Sequence, residues 1–226
     1  MKTKTLNRNF ILLIIGQASS MFGTVLLKFT ISLFILDLTC SAALFGTITA
    51  ISYLPPIFLS PIGGIMADRN DKRNLMIALD SLYGIMAILL VLSLSFSNVF
   101  VLITVIMVGL SIVSSFETPV VQSSIPLIQK KESLIQSNAI VSQINMLANL
   151  IGPLLAGLLY SAIGKAYLQD VRIVFWGCAI CFFSAAILEA FIKIPKIILT
   201  PISNPLHAIK KDLGESLYFL TSKQIY

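Results

Sequence analysis

The chain has 226 residues, of which 57% are hydrophobic and only 12% charged, with a net charge of +6 and a mean hydropathy of +0.93. A soluble domain carries about 25% Asp, Glu, Lys and Arg, so this composition excludes a soluble globular fold and implies an all-α polytopic membrane protein. The positive charge does not point to nucleic acid, because the basic residues come in small groups between apolar runs.

A membrane-crossing helix needs about 20 mostly apolar residues. The short basic start, Met1 to Arg8, leads into the first such run with no Ala-x-Ala cleavage site, so it reads as a signal anchor rather than a cleaved leader. Six runs qualify: Phe10 to Leu36, Ala42 to Met66, Leu75 to Phe96, Val99 to Val121, Ala139 to Ile163 and Ile173 to Ile194. Their unbroken length excludes a closed β-barrel, whose strands alternate over about 10 residues. Ser137 or Asn138 is placed to cap the fifth run.

All but three of the 16 Lys and Arg fall on the N-terminal side of these runs; the exceptions are Lys28, Lys165 and Arg172. The excess of positive charge predicts that both termini are cytoplasmic in a multi-pass cell-membrane protein. After residue 194 the pattern changes. Pro201, Asn204 and Pro205 interrupt the chain, and Leu206, Ile209, Leu213, Leu217 and Leu220 then recur at helical spacing. Residues 1–194 are therefore expected to form one six-helix bundle, and 195–226 a cytoplasmic linker with an amphipathic helix.

Charged groups inside spans are costly and are candidate functional groups. Lys28 lies within the first span, after Gln17, Ser19 and Ser20. It either snorkels outward or lines a polar cavity. Asp37, at the outer end, reads as a solvated acid or a site residue. Asp80 is expected to pair with the basic cluster nearby. Glu117, before Pro119, is either a proton carrier or a cap or ion pair at the membrane edge, and Glu189 is expected at the interface. Cys178 and Cys181 form a C-x-x-C in an apolar run, where packing is the simpler reading than redox or metal chemistry. With one histidine, His207, and no nucleophile–base arrangement, no enzyme activity, metal or cofactor is expected.

Two motifs carry a resemblance. Gly64-Ile65-Met66-Ala67-Asp68-Arg69-Asn70-Asp71-Lys72-Arg73 resembles the loop signature Gly-x-Leu-Ala-Asp-Arg-x-Gly-Arg-Lys of the major facilitator superfamily, with Met66 and Asp71 as departures. Gly152-Pro153-Leu154-Leu155-Ala156-Gly157 resembles the fifth-helix antiporter signature Gly-Pro-x-x-Gly-Gly, with Ala156 in place of one Gly. Pro119, Ile125-Pro126 and Asn138 are similar to the drug-efflux branch of macrolide-exporter type. The Arg common in the fourth helix of other members has no counterpart.

The resemblance implies a transporter that couples a proton gradient to efflux of amphipathic small molecules, with antibiotic resistance as an associated phenotype. It implies Gly64, Asp68, Arg69, Lys72 and Arg73 as a conformational gate, and Gly152, Pro153 and Gly157 as an antiporter-like motif. Gln17, Lys28, Asp37, Asp80 and Glu117 are then candidate cavity or proton residues. Members of the family carry two six-helix bundles, and this chain matches the first. The expected partners are therefore lipid, a small-molecule substrate, and a second six-helix half or a second copy. The alternative is a truncated, non-transporting membrane protein or assembly partner. Asp68, lacking a helix of the other half, is expected to take Arg69, Lys72 and Arg73 as partners.

Overall fold

The chain is described by a computed structural model that covers residues 7–163 and 168–195. Residues through Pro195 form one unit. The expected linker and its amphipathic helix lie outside the described residues.

Among the described residues this unit has seven α-helices and no strand: α1 (Arg8–Thr39), α2 (Ala42–Ile51), α3 (Leu54–Arg69), α4 (Lys72–Ser93), α5 (Val99–Ile128), α6 (Leu134–Ile163) and α7 (Leu168–Ala190). They supply six stretches long and apolar enough to cross a membrane, α2 and α3 together forming the second. At 1.5 Å per residue, the 32 residues of α1 span about 48 Å, more than the roughly 30 Å hydrocarbon core.

The second span departs from the single helix expected there. It breaks at Ser52 and Tyr53, just before Pro55 and Pro56. Neither proline can donate a backbone hydrogen bond to the turn before it, so a new helix begins. The fifth span also starts earlier than expected. A single 3₁₀ turn, Lys131–Ser133, feeds directly into α6 at Leu134. Ser137 and Asn138 consequently sit inside the helix and cap nothing, and Ser137 is buried. The fourth span runs on to Ile128, carrying Pro119 and Pro126 inside the helix.

α1 packs against α6 and α7, α4 against α7 and α5, and α3 against α5. The seam between α1, α4 and α7 is aromatic. Phe182 stacks on Tyr83 with ring centroids 5.0 Å apart and planes 14° from parallel, while its far edge rests on Gly23. Between α3 and α5, a Cβ on Gly63 would lie 2.7 Å from the Ser115 carbonyl oxygen, so only glycine permits that approach. Away from these seams the surface is apolar: Phe58, Ile135, Met146 and Leu150 are each at least 70% exposed. A face of this kind belongs against lipid or another helix.

Candidate functional site

The first helix carries a polar stripe in an apolar sequence. Gln17, Ser20, Thr24 and Lys28 follow one another at spacings of three and four, so they share one face. Against the first half of that face, three other helices bring acids. Asp80 comes from α4, Glu117 from α5 and Glu189 from α7. Asp80 is 2% exposed, Gln17 4% and Glu189 0%; Glu117 is partly buried.

Ser20 holds the centre of this cluster. Its hydroxyl donates to Asp80 Oδ1 at 2.6 Å, and Glu117 Oε1 lies 3.3 Å away as a second acceptor. Tyr83, one turn beyond Asp80 on α4, is fully buried and faces Glu117. Glu189 lies against Asp80 and Gln17, but no donor is aligned on either of its carboxyl oxygens, nor on Asp80 Oδ2. Buried polar atoms are normally paired. Three carboxyls thus stand together, and two of them, Asp80 and Glu189, keep buried oxygens that no donor reaches.

Further along α1, Lys28 forms part of the wall of a cavity of ≈ 500 Å³ bounded by α1, α2, α5 and α6. The Lys28 ammonium donates to Ser114 Oγ at 3.3 Å, and its charge acts on Glu117 at longer range. The stripe on α1 thus links the acid cluster to the cavity. A second, wholly apolar hollow of ≈ 430 Å³ lies between α1, α6 and α7. Cys178 and Cys181 line it as free thiols.

Several sequence expectations change here. Gln17, Asp80 and Glu117 do come together, but none of them lines the cavity; Lys28 does. Asp80 does not pair with the basic cluster. It lies two turns past Lys72, about 12 Å along the helix, and accepts from Ser20 instead. Glu117 is not at a helix end, because α5 continues for three more turns. Asp37 is remote from the cluster, at the other end of α1, where it accepts from Tyr160 Oη at 2.6 Å. Glu189 was expected at the interface and is instead fully buried. No helical stripe on α7 marks it, since its chain neighbours Ile187, Leu188, Ala190 and Phe191 are apolar on every side.

The charged turn between α3 and α4 also differs from expectation. Asp68 is exposed, and two of the bases expected beside it, Lys72 and Arg73, spend donors on helix ends. The Lys72 ammonium, 8% exposed, donates to the Ala67 carbonyl at 2.8 Å in the last turn of α3. Arg73 donates to the carbonyl of Ala190, the final residue of α7. Both place a cation where a helix presents unpaired carbonyls and negative partial charge. Asp71 caps the start of α4, accepting from the Arg73 and Asn74 amides at 3.2 and 3.4 Å. One short turn therefore finishes two helices and starts a third. In the Gly-Pro motif, a Cβ on Gly152 would lie 2.5 Å from Val25 Cγ1 on α1, whereas Gly157 and Gly64 have open space around them. Pro153 lines the Lys28 cavity.

The family model of the Major Facilitator Superfamily matches residues 13–221. Among curated proteins, the chain is 24% identical over 183 residues to Macrolide efflux protein A of Streptococcus pyogenes, covering 80% of this chain and 44% of that protein. It is 29% identical over 157 residues to the Staphyloferrin A transporter of Staphylococcus aureus, covering 69% and 38%. The chain thus spans less than half the length of these relatives.

Proposed function

We infer function from one premise: the chain belongs to the Major Facilitator Superfamily. On that basis it is one six-helix half of a membrane transporter that exports amphipathic small molecules in exchange for protons. The observation that carries this reading is the enclosed group of Asp80, Glu117 and Glu189 around Ser20, joined through one face of α1 to the Lys28 cavity. Acids inside a membrane bundle are costly and are retained where protons or ions move, and a cavity beside them supplies the exchange partner. Similarity to a macrolide efflux protein supports export as the direction.

Alternating access requires a second bundle to rock against the first around a site near the midplane. That partner is a second six-helix half, on this or another chain. In this reading the exposed Asp68 and its neighbour Arg69 meet it as a gate, while Lys72 and Arg73 keep their own half rigid. Gly152 and Pro153 shape the helix that borders the cavity. The distribution of Lys and Arg supports a cytoplasmic location for the charged turn and the N-terminus.

The test is export of a neutral amphipathic dye, Nile red, from cells with and without the intact gene. Cells carrying the gene should accumulate less dye, a protonophore should abolish the difference, and Glu117→Gln should do the same with the protein still present in the membrane. Equal accumulation in deleted and undeleted cells would refute export of neutral amphiphiles. A difference that survives the protonophore would refute proton coupling.

A further inference from the structure

Lys28 is a cation with few partners in a polar wall that contains no acid. Of its three ammonium protons, Ser114 Oγ takes one, at 3.3 Å. Glu117, the acid whose charge acts on it, has Ser20 as its hydrogen-bonding neighbour at 3.3 Å, and no close ion pair joins the two among the described residues. The other polar groups of the cavity wall are neutral. Ser32 donates to the Lys28 carbonyl at 2.9 Å, Thr49 to the Phe45 carbonyl at 2.7 Å and Asn149 to the Asn145 carbonyl at 2.8 Å. These groups each spend a proton on their own helix, Thr24 and Tyr53 add neutral hydroxyls, and Lys28 is the charged group of the wall, with ammonium protons to spare. Val25, Phe29, Phe45 and Pro153 supply apolar wall on either side.

We propose that this cavity selects amphiphiles whose polar head is an anion, a carboxylate above all, held by the Lys28 ammonium while the apolar body lies along Phe29 and Phe45. This rests on the transport reading above and narrows its substrate class. A carboxylate would accept charge-assisted hydrogen bonds from the unused ammonium protons, roughly twice as strong as those between neutral groups. A cationic head in the same place would meet Lys28 with no acid on the wall to offset the repulsion.

Three probes with one body and different heads test this: 2-naphthoate, 2-naphthylmethanol and 2-naphthylmethylammonium. Binding is measured calorimetrically to the full chain in lipid nanodiscs, with empty nanodiscs as the reference for partitioning. The carboxylate should bind about tenfold or more tightly than the ammonium probe. Lys28→Gln should remove that preference with a much smaller change for the alcohol than for the carboxylate, and Lys28→Arg should keep it. Equal binding of the charged probes, or an undiminished preference in Lys28→Gln, overturns the inference while leaving the cavity intact. A Lys28→Gln loss shared equally by all three probes also overturns it, since that marks Lys28 as structural support for Glu117. If none of the probes binds, the alcohol included, the cavity itself is refuted as a ligand site and the transport reading loses its substrate site.

Discussion

Ser20 has one hydroxyl proton and two carboxyls within reach of it. The shorter distance, 2.6 Å to Asp80 against 3.3 Å to Glu117, assigns the proton to Asp80. Because no donor is aligned on Asp80 Oδ2, the Ser20 hydroxyl is the donor that holds Asp80, and Ser20→Ala would remove it. Interhelical hydrogen bonds in membrane proteins are worth about 0.6 kcal/mol on average and up to about 1.7. A double-mutant cycle of Ser20→Ala with Asp80→Ala, read by reversible unfolding in mixed micelles, should therefore return a coupling in that range. Strict additivity of the two substitutions would show that Ser20 does not hold Asp80. Glu117, the second acceptor, is also the group on which Lys28 acts. A change in the proton or charge of one member is felt by the others, which is what the proposed exchange between proton and substrate requires.

At the level of helices, contact between α1 and α6 depends on a missing side chain. A Cβ at Gly152 would lie 2.5 Å from Val25 Cγ1 and 3.0 Å from its Cβ, and nothing comparable surrounds Gly157. Gly152→Ala should cost about 1–3 kcal/mol by overpacking. Gly157→Ala should be neutral or slightly stabilising, because alanine is the better helix former by about 1 kcal/mol. Unfolding midpoints of both variants decide the point, and Val25→Ala should rescue the first. Equal effects at the two positions would mean that the motif acts through backbone flexibility rather than packing. The Gly-Pro run was visible in the sequence, but which of its glycines is crowded depends on Val25, more than 120 positions away. The same contrast holds elsewhere. Long apolar runs made all six spans legible, and Gln17, Ser20 and Lys28 stood out as polar residues within the first of them. The break at Ser52 was not, since hydropathy does not register the donors that Pro55 and Pro56 lack. Neither was the burial of Glu189, because depth near a helix end is set by what the other helices place around it.

Across the whole unit, the charged turn and the acid cluster are joined by one residue step. Arg73 donates to the Ala190 carbonyl, and Glu189 precedes it in the last turn of α7. Asn9, at the start of α1, grips the segment just beyond, donating to the Lys193 carbonyl at 3.0 Å and accepting from its amide at 3.4 Å. The end of α7 is thus fixed from α4 on one side and α1 on the other, the two helices that also supply Asp80 and Ser20. Lys72 performs the corresponding task for α3 through the Ala67 carbonyl. A cation at a helix C-terminus contributes about 0.3–1 kcal/mol, so removing one should loosen only the turn it holds. Arg73→Gln should speed hydrogen–deuterium exchange about two- to fivefold at the Phe191 and Ile192 amides, which donate to Leu188 and Glu189. Lys72→Met should instead affect the Asn70 amide, which donates to Met66. The exchange pattern of the two variants measured side by side distinguishes two designs. If each loosens its own helix end, the turn is a pair of separate fastenings and Arg73 is the one that positions Glu189. If both loosen α3 and α7 together, the turn works as one cooperative block, and the assignment of Glu189 to Arg73 fails.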